Sequence, residues 1–437
     1  MKYKVLLIVT FLLTFYSTIW SQNYVIRKKI QSLTGQVSIL RLKTDIDKLV
    51  GFYNRNTFSD TVSENKGIGA ARRWLYSEFV KINNASGGRM KVYYDNFCKK
   101  LSERFKNVAN EDSIKLVNVI AVIPGTSSER VLIINGHYDS RTHSGTDTES
   151  FAPGANDDGC GTIALLELAR ILSRERFKNT IMLAALIAEE QGLWGAAHLA
   201  EQAKNTKMKV EGVIANDMIG NITGGDGKSD NTILRCFSPD PIDSPSRNFA
   251  LYVNKISDEY FPLLKLKMIF RLDRFGRGGD HLPFIRQGFA GIRLTEPYEN
   301  YKIQHSPDDT PDNISFEYFT HTTQLNLTVA SYWANSPEPP EIVSITRDPD
   351  YKTILKFTCP EPQINLQGFQ VYIRETDSGY WTESIFFPTP KATIENTKGK
   401  VYNIALQNRD RDYYIFGLAS VNKEGYESIA STYNADR

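Results

Sequence analysis

Six short runs rich in Val, Ile and Leu, at residues 117–123, 131–135, 180–188, 212–216, 232–237 and 291–294, carry no strict polar alternation. A strand with one face in water shows that alternation, so runs without it suit strands buried on both faces. Helix-like segments lie between or after them, near 162–174, 191–204, 245–260 and 315–333. This order predicts an α/β sheet with helices on both faces. Ahead of it, Ile39, Leu42, Ile46, Leu49 and Val50 recur at helical spacings, and a second such segment runs over 68–82. These read as helices that pack on the sheet.

At 437 residues the chain exceeds one ordinary domain. Its hydrophobic share of 41% and charged share of 23% are those of a folded globular protein, and a net charge of +2 gives no pull toward nucleic acid. Cys98, Cys160, Cys236 and Cys359 form no CxxC pair and are too dispersed for a disulfide scaffold. Residues 1–21 read as a secretory signal, with Lys2 and Lys4, an apolar run over 5–15, and Ser21 before Gln22. The uncharged run is shorter than the ~20 residues of a spanning helix. The expected location is secreted, periplasmic or extracellular, without stable membrane insertion.

One glycine-rich stretch, PGANDDGCG from Pro153 to Gly161, sets Asp157 and Asp158 in a turn that opens an apolar helix. Alone, such a pair is more often a helix cap than a ligand. Its company changes the reading. GHYDS lies before it, and AEEQGLWG, NDMIG and QHSPDDT follow. His137 and Asp139 follow one apolar run, Glu189 and Glu190 end another, and Asp217 ends a third. In open α/β sheets the carboxyl ends of strands form the ligand crevice, so these residues are expected to converge. His305, in a loop before the last helix of the sheet domain, can reach the same crevice.

Two histidines and three acidic residues suit zinc, but a catalytic zinc takes about four ligands and keeps one for water. Two ions sharing one carboxylate use five protein ligands economically. A further acidic residue then remains to act as general base.

In this order GHYDS, PGANDDGCG, AEEQGLWG, NDMIG, GGDHLPF and QHSPDD resemble the co-catalytic two-zinc aminopeptidases secreted by bacteria, over residues 45–334. The resemblance implies the zinc-exopeptidase, phosphorylase/hydrolase-like fold with a mixed sheet. It implies that Asp157 bridges two zinc ions, that His137 and Asp217 complete one, and that Glu190 and His305 complete the other. Glu189 becomes the general base and Asp139 the support of the His137 ring. In that family the peptide after the bridging aspartate is often cis. Gln304 stands where some members carry a tyrosine that stabilises the oxyanion; Tyr301 or Tyr298, or the metals alone as Lewis acids, are the alternatives for that role. His281 is expected to support the site, and His198 to pack.

After Ala334 the composition changes. Residues 336–341 form a proline-rich linker. Short β-type runs at 353–357, 368–374 and 413–421 then predict an all-β sandwich over 342–437. GFQVYIRE and YYIFGLASVNKEGYES resemble strands of a fibronectin type III domain. Its expected role is a spacer or a contact with a surface or polymer. The peptidase domain is assigned to 22–335. The function expected of the whole is an exported zinc aminopeptidase acting on peptides with a free N-terminus, through a metal-bridging water and Glu189. Its rivals on the same fold are a glutaminyl cyclase and a carboxypeptidase or dipeptidase, and, from a different functional class, a catalytically inactive binding module of similar fold.

Overall fold

The computed structural model describes residues 22–239, 244–390, 394–396 and 399–433; the expected signal segment, 1–21, lies outside them. The chain divides into two compact units, Gln36–Ala334, and Asn335–Arg437 together with residues up to Gly35. A helix over residues 22–34 (α1) therefore clusters with the C-terminal unit, where Gln22 Nε2 donates to Lys423 O at 2.8 Å. Its sequence reading had grouped it with the larger domain.

The larger unit holds α2 (Ile39–Val50), α3 (Gly67–Ala85), β1 (Lys91–Lys100), α4 (Glu103–Ala109), β2 (Ser113–Ile123) and β3 (Arg130–His137). It continues with α5 (Cys160–Leu172), β4 (Thr180–Leu186), α6 (Trp194–Asn205), β5 (Lys209–Asn216), β6 (Ile233–Phe237), α7 (Pro245–Tyr260), β7 (Lys265–Ile269), α8 (His281–Arg286), β8 (Gly291–Thr295) and α9 (Phe316–Trp333). The eight strands make one mixed sheet in the order β1-β2-β4-β3-β5-β8-β6-β7. Both faces are covered. Ile133, Met182 and Ala184 pack with Leu199 of α6 and Phe284 of α8, while α5 lies against β3 from the other side.

Local sequence explains the helices. α2 buries Leu42, Ile46 and Leu49, one stripe of an amphipathic helix. α5 is buried on nearly all sides and is apolar on nearly all sides, with Glu167 held by Arg41 at 3.1 Å and Arg170 at 2.8 Å. The hydroxyls of Ser244 and Ser315 cap α7 and α9 by accepting from Arg247 N and Tyr318 N. At the β3–α5 contact there is no room for side chains: a Cβ on Gly136 would lie 2.5 Å from the Gly161 carbonyl carbon. The two glycines thus let backbone meet backbone beside His137.

The strands expected from apolar runs are all present, but β1, β7, α4 and α8 were not foreseen. β1 and β7 are the outermost strands, and their residues alternate in exposure. Half-wet edge strands leave no continuous apolar run to detect.

In the C-terminal unit, β9 (Glu341–Arg347), β10 (Thr353–Cys359), β13 (Ile394–Asn396) and β14 (Gly399–Leu406) form one antiparallel sheet. A second antiparallel sheet contains β11 (Leu366–Glu375), β12 (Glu383–Pro388), β15 (Tyr414–Asn422) and β16 (Ser431–Thr432). Leu355, Phe357, Tyr402 and Ile404 of the first share a core with Phe369, Val371, Phe416 and Leu418 of the second. This is the expected all-β sandwich.

Candidate metal centre

β4, β3, β5 and β8 are neighbours and parallel, so their carboxyl ends open on one edge of the sheet. His137 is the last residue of β3, Asp217 follows β5, Glu189 and Glu190 follow β4, and His305 lies in the loop after β8. The chain brings all five expected ligands together there. Ligand atoms of His137, Asp157 and Asp217 lie within 4.8 Å of one another, as do those of Asp157, Glu190 and His305. Asp157 belongs to both groups.

The two aspartates of the turn do different work. Asp157 presents Oδ1 to His137 Nε2 at 3.3 Å and Oδ2 to His305 Nε2 at 3.0 Å. Asp158 turns inward and accepts backbone N–H groups from His137 (3.0 Å), Gly161 (3.0 Å) and Met218 (3.2 Å). The peptide between them is cis. Asp309 accepts from the backbone N–H of Asn156 at 2.9 Å and of Asp157 at 3.0 Å, fixing the turn from below. Buried Arg55 donates to the carbonyls of Tyr138, Pro153 and Gly154. Several residues of the site hold left-handed backbone that non-glycine residues seldom adopt: Ala188, Met218 and His305, at φ near +60°.

His137 Nδ1 lies 3.1 Å from the Asp139 carbonyl and 3.6 Å from its carboxylate. That carboxylate mainly accepts from the backbone N–H of Glu189 and of Glu190, each at 3.3 Å. Asp139 therefore ties the HYD turn to the EE turn. Arg141, which the sequence reading passed over, pairs with Glu190 Oε2 at 2.9 Å and reaches His305 Nδ1 at 2.8 Å. Arg293, also unforeseen, lies fully buried with Asp217 at 3.1 Å. Tyr301 is not brought to the cluster: it is 62% exposed, with Arg277 over its ring. Gln304 is there instead, donating to Asp157 Oδ2 at 2.7 Å. His281 is buried with Nε2 2.8 Å from the Leu272 carbonyl, and His198 stacks on Phe97.

Charge is concentrated to an unusual degree. Burial pushes the Glu189 carboxyl well up, and the charges of Asp217, Glu190 and Asp280 push it further. Burial and Asp157 raise Asp217 to about 6. Burial opposes ionisation of Asp157 as well, yet the imidazoles of His137 and His305, with Nε2 at 3.3 and 3.0 Å from its oxygens, hold it well below the usual range. Burial would lower His305, but Glu190 and Asp157 lift it to about 10. Two buried ligand atoms, His137 Nε2 and Glu190 Oε1, make no hydrogen bond among the described residues. Imidazole and carboxylate donors crowded this closely, with such atoms facing one another, fit divalent cations.

A cavity of about 440 Å³ opens over the cluster, and its lining includes Asp157, Glu189, Glu190, Asp217 and His305 together with residues of the 274–278 loop. Cys98, Cys160, Cys236 and Cys359 are all unpaired thiols and none lines it.

Residues 118–330 match the model of Peptidase family M28. The chain is 34% identical over 434 residues to a Leptosphaeria maculans protein named "probable zinc metalloprotease", covering 92% of this chain and 96% of the relative. The sequence resemblance was to bacterial enzymes; this relative is fungal. Among solved structures, the Legionella pneumophila LapA aminopeptidase superposes with a TM-score of 0.56 at 19% identity, covering 71% of this chain and 76% of that one. A glutaminyl cyclase from an Acidobacteriales bacterium follows at 0.51 and 17%, covering 67% and 94%. At such identities these two show the fold alone. The family match spans the strands and turns that build the cluster, and the fungal relative runs nearly the whole chain, so the protein belongs to peptidase family M28 and is a hydrolase.

Proposed function

We propose that the protein is an exported aminopeptidase that uses two zinc ions to hydrolyse the N-terminal peptide bond of its substrates. The observation that carries this reading is the pair of ligand groups sharing Asp157, with Glu189 beside them on the same cavity. His137, Asp157 and Asp217 would hold one ion, and Asp157, Glu190 and His305 the other. Zinc held there would supply Lewis acidity for the scissile carbonyl and acidify a water.

Glu189 takes the proton from the attacking water and returns it to the leaving amine. Its raised affinity for a proton, caused by burial among Asp217, Glu190 and Asp280, suits a group that must do both. Asp139 fixes the Glu189 backbone and Gln304 fixes the Asp157 carboxylate. The acidic wall attracts a free α-ammonium group, and the modest cavity suits the end of a chain rather than its middle. Export rests on the lysine-led apolar segment at residues 2–15. The C-terminal sandwich, fibronectin type III-like in its strand motifs, serves as a spacer or a surface contact.

The test combines zinc analysis with release of free amino acid from unblocked and N-acetylated peptides, wild type beside Glu189→Ala. Two zincs per chain, cleavage of the unblocked peptide alone, and loss of turnover with zinc retained in the variant support the reading. Cleavage of the acetylated peptide would remove the aminopeptidase assignment. Cyclisation of a Gln-initiated peptide without hydrolysis would replace it with a cyclase, the activity named for the second structural neighbour.

A further inference from the structure

Beside the ligand cluster lies a group of arginines, of which Arg274 and Arg277 line the cavity. Arg235, Arg274 and Arg277 all converge on Glu299, at 2.9, 2.8 and 3.1 Å. Arg274 and Arg293 share Asp273, at 3.1 and 3.4 Å. The remaining acid in this network is Asp217, paired with Arg293. With Asp217 serving a metal, Glu299 and Asp273 are the carboxylates left in this network for Arg235, Arg274, Arg277 and Arg293, and of these four only Arg274 and Arg277 line the cavity. Arg277 contacts Glu299 and Gln304 through Nη1 alone, and its Nε and Nη2 make no hydrogen bond among the described residues. Arg286, at the end of α8, lines the same cavity and has no ion-pair partner among the described residues. A guanidinium edge left open toward a cavity matches the two oxygens of a carboxylate.

We infer that Arg277 and Arg286 form a carboxylate-binding subsite, so that the enzyme selects peptides presenting a carboxylate next to the scissile bond. This rests on the peptidase reading of the site and adds a substrate class to it. The carboxylate has two sources of the same chemistry. One is an Asp or Glu side chain near the N-terminus; the other is the terminal carboxylate of a di- or tripeptide. A cavity of about 440 Å³ has room for either. Electrostatics argues against an apolar preference there, because burying uncompensated guanidinium groups against a hydrocarbon side chain costs their hydration.

The experiment measures binding and turnover separately. Calorimetry on the zinc-loaded Glu189→Ala protein compares Leu-Glu-Leu amide, Leu-Gln-Leu amide and Leu-Gln-Leu free acid; steady-state kinetics on wild type uses the same peptides. A charge-assisted pair predicts that at least one carboxylate-bearing peptide binds roughly 10-fold or more tighter than the uncharged amide. Arg277→Gln and Arg286→Gln should each remove most of that preference, appearing in KM rather than kcat, while Arg286→Lys restores part of it. Preference for Leu-Glu-Leu amide assigns the side chain as the source; preference for the free acid assigns the terminus. Equal binding of all three peptides overturns the subsite while leaving the peptidase reading intact. A carboxylate preference in binding without turnover in wild type leaves the subsite standing and removes the aminopeptidase assignment instead. Arg286 is exposed, so its variants test the idea without risk to folding.

Discussion

Gln304 Nε2 donates to Asp157 Oδ2 at 2.7 Å, on the same oxygen that faces His305 Nε2 at 3.0 Å. The carboxylate shared by both candidate ligand groups is thus oriented by the side chain that precedes His305 in the sequence. Replacing Gln304 with Ala should lower metal affinity or kcat/KM by about 10- to 100-fold, the usual cost of losing a group that orients a ligand. Gln304→Glu keeps the shape but sets a second carboxylate against Asp157. Its loss should therefore be greater at pH 8 than at pH 6, which a pH series of kcat/KM would show.

Asp139 links two ligand-bearing turns through the Glu189 and Glu190 backbones. Asp139→Asn retains one acceptor oxygen and loses the charge. Zinc affinity, followed by competition with a chelator dye, should fall by about 10- to 100-fold. A fall in kcat at unchanged zinc affinity would show that Asp139 acts on Glu189 and not on the ligands.

Arg55 is buried and donates to the carbonyls of three residues around the site. Burial lowers its affinity for the proton to about 10, and Asp309, Asp139, Asp158 and Asp157 keep it charged at neutral pH. Arg55→Met would leave those carbonyls and carboxylates uncompensated. Denaturant unfolding should show a loss of about 3–5 kcal/mol.

Without metal, stability should fall as pH rises. Burial lifts Asp217 to about 6, Asp309 to about 7 and Asp280 to about 8, so folding holds protons that the unfolded chain releases near 4. His305, lifted to about 10 by Glu190 and Asp157, adds stability that is complete below its unfolded value and lost as pH rises from there through about 10. Both signs agree: the native state binds more protons, so unfolding free energy declines with pH between about 4 and about 10. Thermal melts of chelated protein should show this decline, and zinc should flatten it by taking the place of the protons. A chelated protein more stable at pH 8 than at pH 6 would contradict the assignment.

Three of the candidate ligands were legible because each sits in a rare pairing at the end of an apolar run: His137 in HYD after one strand, Glu190 in EE after another, Asp217 in ND after a third. Runs buried on both faces announce themselves, and the central parallel strands that carry the site are of that kind. Arg141, Arg293, Asp309 and Arg55 were not legible. Each acts across the fold, as Asp309 does on Asn156 from 153 residues away, and a lone charged residue in a loop reads as solvated. Tyr301 was weighed by its neighbourhood in sequence to His305. The turn between them, with Ile303 N bonded to Asn300 O and His305 in left-handed backbone, carries Gln304 to the metal side and leaves Tyr301 outside.

The hold of Asp309 on the Asn156–Asp157 backbone also bears on the order in which the molecule is made. The last histidine of the cluster and the carboxylate that clamps the DD turn lie within five positions of each other, at 305 and 309, after every strand of the sheet. A chain emerging from the ribosome therefore has every strand of its sheet synthesised before the last residues of the candidate metal site. The growing polypeptide carries scattered histidines and carboxylates for most of its synthesis, and gains the last parts of the site only after nearly the whole domain has been made.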